Sequence, residues 1–381
     1  MDVSFSELRK VFGPAWLTMM ANVEAASIIT AMQTAALFKY QFIIIILLLI
    51  IPLYFICEIA GRVGSATGMG LGELVRRNFS KRMALLLSVP MAATDLLSYV
   101  AEYAAIAVGM EIIGISPQVT LPLVYLLHIA IVYKKKYAAV EKALLALSMV
   151  MVVVYLLFMT KGISNYPFIP KGISHDFLFL VAANVGAVIM PFMLFYQTSA
   201  TAKKEYRSVQ ATKVETFVGA VFSEILVVAI MVVSARLNAD ISITSLKSLG
   251  TAIISIGGTS SAMVFSIGLV SAGFLALVVI SMSGAWGIAE ALGVKDKTWF
   301  KIYVLESLPA VIAALLLPNL IMLVLYLMVA LVFVLIGPVV TMGLLAENKE
   351  IMGRHSLRGF GRMAFWASVA VVMACGFLAF I

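Results

Sequence analysis

The chain has 381 residues, of which 63% are hydrophobic and 12% charged, and 27 Lys and Arg against 19 Asp and Glu give a formal net charge of +8. Soluble domains carry about a quarter charged residues, so this composition excludes a water-exposed globule and leaves the lipid bilayer as solvent. The positive charge does not point to nucleic acid, because the basic residues lie mostly in short segments between apolar runs.

In chain order, the opening stretch MDVSFSELRKVFGPAW lacks the charged-then-apolar layout of a removable signal peptide. Eleven apolar runs of membrane-crossing length follow, near 12–37, 41–60, 83–113, 118–133, 138–160, 176–200, 212–235, 263–290, 301–317, 319–345 and 362–381. Cys57 and Cys375 both sit inside such runs, so they read as small buried side chains and not as a disulfide. The 62–82 segment is amphipathic and glycine-containing and is expected on the cytoplasmic face, and the polar 237–262 segment reads as an external loop with a short helix. With the N-terminus in the cytoplasm, every Lys and Arg except Lys39, Lys161, Lys171, Arg236 and Lys247 falls on the inside. That asymmetry supports both the span count and the orientation. The expected protein is an all-α, multi-pass protein of the cell membrane, one transmembrane domain over 1–381, with its C-terminus external.

Spans one and six share a short pattern. Ala21-Asn22-Val23-Glu24-Ala25 matches Ala183-Asn184-Val185-Gly186-Ala187 at all but one position. Two similar spans five apart are what inverted-topology repeats produce, with broken helices at the equivalent positions and the transported solute held between them.

Glu24 is the most informative residue. A mid-span carboxylate is expensive, and its small or polar neighbours Asn22, Ala25, Ala26 and Ser27 allow the helix to break and free backbone carbonyls, Ala21's among them. It reads as a cation ligand or proton carrier, or else as a structural acid paired to another helix. In span six, Gly186 weakens the helix and Pro191 removes a backbone bond, freeing a carbonyl near Ala187. Met190, just before that proline, is a soft thioether donor or a core filler, and as a donor it favours transition metals over magnesium or calcium. Asp95 and Glu102 in span three are seven apart and share a helix face, a possible proton route. His128, Asn184, Tyr196, Gln197, Glu224 and Glu306 are the other intramembrane polar residues, and His175 and His355 fall in loops. There is no Walker-type loop, no H-E-x-x-H and no dinucleotide fingerprint, so an enzyme is not expected, no cofactor is implied, and transport would run on ion gradients or passively.

Several ordered segments resemble the Nramp family. These are Phe12-Gly13-Pro14 leading to Glu24, the end of span one at Ala36-Leu37-Phe38-Lys39-Tyr40, GMGLGELVRRN at 68–78, Ala93-Thr94-Asp95-Leu96, Gly186-Ala187-Val188-Ile189-Met190-Pro191, and Glu347-Asn348-Lys349-Glu350-Ile351-Met352-Gly353. The tail Phe192-Met193-Leu194-Phe195-Tyr196-Gln197 is similar to the family's magnesium branch. The resemblance implies a LeuT-type fold of two inverted five-helix repeats, about 12–160 and 176–345, plus an eleventh span at 362–381. It implies alternating access to a midplane cation site and a divalent metal as substrate, Mn²⁺ or Fe²⁺ first, bound by Glu24, Ser27, Met190 and the carbonyls of Ala187 and Ala21. A monomer in the bilayer is expected. Where the family has Asp-Pro-Gly-Asn, this chain has Glu24-Ala25-Ala26-Ser27; the family's His after the Met is Phe192, its second span-three acid is Ser98, and its span-ten Gln aligns with Ala330. These departures weigh against the family's proton coupling, for which Glu102 is the substitute acid. They keep open a magnesium carrier, or a LeuT-fold carrier of an organic solute.

Overall fold

Lipid offers no partner to backbone amides, and every spanning element is accordingly a helix. The computed structural model describes residues 5–133, 136–159, 164–170, 172–237, 246–294, 298–316 and 321–381, and among them the regular elements are all helical. Lys134, Lys135, Lys161, Lys171, Lys295 and Lys297 lie outside the described residues, as do 238–245 and the expected span limits at 160, 317 and 319.

Span one is two helices, Pro14–Asn22 and Ala25–Phe38, and span six is also two, His175–Val188 and Pro191–Ala202. The single-helix spans are two (Ile43–Thr67), three (Lys81–Ile112), four (Pro117–Val132), five (Tyr137–Met159), seven (Val209–Ser234), eight (Leu246–Leu292), nine (Thr298–Leu316), ten (Ile321–Glu347) and eleven (Gly359–Phe377). Local chemistry sets many of the starts. Pro14, Pro117 and Pro191 open their helices, where a missing N–H costs nothing. Ser80, Ser174 and Ser208 cap theirs by accepting backbone N–H bonds.

Nine segments of the described residues are long and apolar enough to cross a membrane. One of them, Ala25–Thr67, fuses the end of span one with span two, and Pro117–Val132 is shorter than the rest. Lys39, at φ 54, interrupts the fused segment, so the two halves are separate spans. Two boundaries differ from expectation. The helix of span eight reaches back to Leu246, with Gly258 at φ 72 inside it, so part of the expected external loop is helical. Span two runs on to Thr67, and a short amphipathic helix, Leu71–Asn78, follows with Leu71, Leu74 and Val75 buried. Cys57 and Cys375 are free.

The span pairs two and seven, three and eight, and four and nine pack directly on one another. Equivalent helices meeting in this way are what a two-fold axis in the membrane plane requires. Small residues permit the closest approach: a Cβ on Gly109 of span three would meet Val270 and Ser266 of span eight. The two broken spans lie at the centre of this frame, and their broken segments are fully buried.

Candidate functional site

Both breaks follow from single missing backbone bonds. In an unbroken helix the N–H of residue i+4 meets the carbonyl of residue i. In span six the partner of Ala187's carbonyl would be residue 191, a proline with no N–H. The helix ends at Val188, Ile189 and Met190 are extended, and Pro191 opens the second half. In span one the N–H of Ala25 would meet Ala21's carbonyl; it bonds instead to the Glu102 carboxyl, at 2.9 and 3.2 Å. Val23 and Glu24 therefore leave the helix, with Glu24 at φ −83 and ψ 172. Glu102 thus meets the start of the second half helix, where backbone N–H groups favour negative charge.

The breaks face each other. Ser27 Oγ donates to Ala187's carbonyl at 2.9 Å, filling the place of the bond proline removes. Seven residues further along span one, Asn184 Nδ2 donates to Thr34 Oγ1 at 2.8 Å. The thioether of Met193 accepts Met190's N–H at 3.4 Å. Glu24 is 0% exposed, and neither of its carboxylate oxygens has a partner. A carboxyl so placed is costly unless it meets a proton or a cation.

More acids surround this centre. Glu102 lies within electrostatic reach of Glu24, and Asp95 within reach of both Glu24 and Glu306. Asp95 Oδ2 and Glu306 Oε1 are buried without partners, and Glu306 Oε2 accepts from Tyr99 at 3.4 Å. In span seven, Glu224 Oε1 accepts from Asn22 Nδ2 at 3.3 Å. Among the described residues no group of three or more His, Cys, Asp or Glu is gathered as a metal cluster. The two breaks carry between them a free carboxylate, a thioether, a hydroxyl and backbone carbonyls, and the Ser27–Ala187 bond joins the two breaks.

Most of the expected residues converge: Glu24, Ser27, Ala187, Met190 and Ala21 all lie at or beside the two breaks. Three expectations change. Gly186 lies inside its helix, and its role is packing: a Cβ there would run into the Met328 carbonyl of span ten, so only glycine permits this approach. The breaks occur at 23–24 and 189–190, four residues out of register with the match of Ala21 to Ala183; the equivalent carbonyls are Ala21's and Ala187's. Ala330 is exposed, whereas Met328 and Val332 face span six, so Ala330 is not the span-ten position opposite the break.

Several polar residues prove structural. His128 is bonded on both ring nitrogens, to Tyr103 at 2.9 Å and Tyr303 at 2.8 Å. Gln197 bonds Thr216, and Tyr196 bonds Tyr137. Of the two histidines expected in loops, His175 opens the first helix of span six and is exposed, and His355 ends a short 3-10 turn, where burial, then nearby Arg354, Arg62 and Lys213, lowers its pKa. The sequence reading missed the clamp on the first half of span one. Glu215 of span seven accepts the N–H of Gly13 at 2.7 Å and of Trp16 at 2.9 Å. Lys204 joins Phe12's carbonyl at 3.1 Å to Glu141 at 2.8 Å. Glycine at 13 leaves a polar helix start that needs an acceptor, and that was the one available signal.

A family model described as natural resistance-associated macrophage protein-like, Nramp, matches residues 15–381. A divalent metal cation transporter, MntH, of Klebsiella pneumoniae (strain 342) is 22% identical over 384 residues, covering 96% of this chain and 92% of that protein. The MntH of Bacillus subtilis (strain 168) is 22% identical over 302 residues, covering 74% of this chain and 70% of that protein. A crystal structure of the Eremococcus coleocola manganese transporter, with an aromatic bis-isothiourea compound, superposes with a TM-score of 0.82 at 14% identity, covering 100% of this chain and 88% of that one. Mhp1, a nucleobase-cation-symport-1 family transporter in a closed conformation, superposes at 0.57 and 13% identity, covering 97% and 91%. At such identities these structures speak to the fold, which is the LeuT type: two inverted five-helix repeats and an eleventh span.

Proposed function

This chain belongs to the Nramp family of multi-pass membrane transporters, and from that premise we propose that it carries a divalent metal cation, Mn²⁺ or Fe²⁺ by preference, by alternating access. It is a transporter and not an enzyme, and the metal is its cargo. The observation that carries the reading is Glu24: a fully buried carboxyl with both oxygens unpaired, at a helix break that faces a second break ending in Met190.

In this reading Glu24 supplies the charge, and Met190 selects against hard ions, because a thioether adds little for Mg²⁺ or Ca²⁺. The carbonyls of Ala21 and Ala187 and the hydroxyl of Ser27 complete the donor set. The Ser27–Ala187 bond keeps two of these donors together, and the hydroxyl turns toward the ion on binding. Asp95 and Glu102 form the neighbouring acidic route. The repeats run from about 12–160 and 176–345, with 362–381 appended. The chain works as a monomer in the cell membrane, N-terminus inside and C-terminus outside, as its charge asymmetry supports. Relatives named for divalent metal support the metal over an organic solute.

The test is Mn²⁺ binding to the purified protein by calorimetry. Wild type binds, Glu24→Gln does not, and Met190→Ala loses its preference for Mn²⁺ over Mg²⁺. A wild type that fails to bind Mn²⁺ overturns the reading. Equal affinity for Mg²⁺, unchanged by Met190→Ala, turns it into a magnesium carrier.

A further inference from the structure

We infer that Glu224, which accepts one bond from Asn22, is a proton-binding site on span seven that couples proton movement to the first half of span one; the inference rests on the transporter reading above. Glu224 is 0% exposed in the middle of Val209–Ser234. Its Oε1 accepts from Asn22 Nδ2 at 3.3 Å and from Ser223 Oγ at 3.5 Å. Its Oε2 has no partner, and neither has Asn22 Oδ1. These two unpaired atoms are the ones that a carboxylic acid and a primary amide join when they pair side by side. With a proton on Oε2, that O–H donates to Oδ1 and closes the pair. Without it, two buried acceptors are left with no donor between them, a costly arrangement.

Several charged groups on the elements packed against span seven have partners of their own, Lys10 over the Tyr206 ring among them, and Lys142 of span five is exposed. On span seven itself Glu215 takes the N–H groups of Gly13 and Trp16. Glu141 of span five pairs with Lys204, and Glu58 of span two with Arg62 and Lys213. Lys39, between spans one and two, donates to the Leu237 carbonyl, and Glu7 accepts from Tyr206. Glu102 takes the N–H of Ala25, and Glu24 lies within its electrostatic reach. Glu224 makes no ion pair among the described residues, so the occupant that neutralises it is a proton. Asn22 ends the first half of span one, two residues before Glu24. Proton loss at Glu224 therefore undoes one side of the Asn22 pair and loosens that half at the end that carries the metal ligand. The step makes and breaks only bonds to the proton, taken from water on one side and released on the other.

The experiment uses the full chain in liposomes, with a luminal Mn²⁺ indicator and a luminal pH dye read together under a potassium-valinomycin voltage clamp. Wild type should acidify the lumen as Mn²⁺ enters. Glu224→Gln should still admit Mn²⁺ with proton flux at the level of empty liposomes, and Glu224→Asp should restore it. Proton flux per Mn²⁺ unchanged in Glu224→Gln overturns the inference, as does Mn²⁺ entry without protons in wild type, or replacement of the pH dependence by a Na⁺ dependence. Infrared spectroscopy of the purified protein is independent of transport. A protonated-carboxyl band that is lost in Glu224→Gln and shifted in Asn22→Ala supports the site, and its absence from wild type refutes it. If wild type moves no Mn²⁺, the metal reading fails, and the infrared band alone decides the proton site.

Discussion

Consider two replacements of Glu102, by glutamine and by leucine. Both remove the ionisable group, so the relief of a buried acid is common to them. They differ in one respect: glutamine keeps a carbonyl oxygen for the Ala25 N–H, which Glu102 now holds at 2.9 and 3.2 Å, and leucine does not. In Glu102→Leu the amide at the start of the second half helix is buried and orphaned, which costs ~1–3 kcal/mol. The chain can escape that cost only by returning the N–H to Ala21's carbonyl. That would wind Glu24 back into a continuous helix and cover one of the carbonyls assigned to the ion.

Stability and binding should therefore move together. Unfolding in detergent by denaturant should place Glu102→Gln above Glu102→Leu by ~1–3 kcal/mol. Calorimetric Mn²⁺ affinity should fall in the leucine variant by roughly tenfold for each 1.4 kcal/mol spent on keeping the break open. Equal stability and equal Mn²⁺ affinity in the two variants would refute the claim that Glu102 holds the break.

Two further substitutions test the packing of the breaks. Gly186→Ala puts a Cβ into the Met328 carbonyl of span ten, and should destabilise by ~1–3 kcal/mol or more, because a backbone atom cannot rotate away; an unchanged unfolding midpoint would contradict the close contact. Ser27→Ala removes the donor to Ala187's carbonyl and should cost ~0.5–1.5 kcal/mol in the same assay, with no loss if the two spans do not meet there.

The span order was legible because lipid demands helices, and because charge marks where they end. The neighbourhood of the site was legible for the same reason: Glu24 and Pro191 are residues that an apolar helix does not carry without cause. Register within the spans was harder. Lipid-facing and core-facing positions are both apolar, so the helical period carries little phase, and the family's span-ten Gln was aligned with Ala330, which is exposed. The match of Ala21 with Ala183 was misled in a similar way, since small residues recur wherever helices pack closely. The carboxyl clamps were hidden for another reason. Glu102 and Glu215 meet backbone groups 77 and 202 residues away, and a backbone N–H has no side-chain signature to pair with.

Those clamps hold the two halves of span one unequally. The first half is tied to spans five, six and seven: Trp16 Nε1 to Ser148, Lys204 to Phe12's carbonyl, and Gly13 and Trp16 to Glu215. Tilting it breaks several buried bonds at once, and those made to charged groups are worth about twice a neutral one. The second half has a different set of partners. Ser27 and Thr34 bond Ala187 and Asn184, both in the first half of span six. Those two half helices can move as one body with their shared bonds intact, while the second half is held from outside that pair by Glu102 on Ala25 and, at its far end, by Lys39 on the Leu237 carbonyl. Opening at the N-terminal end of span one thus requires dismantling a clamp, whereas opening at the other end requires releasing the Glu102 carboxyl and the Lys39 ammonium, each from one backbone group. Of these two, Glu102 is the residue within electrostatic reach of Glu24. On the proposed reading of Glu24 as the metal ligand, a divalent ion bound there would draw on the same carboxyl that holds the half helix in place, so that binding and release of the second half would compete for Glu102.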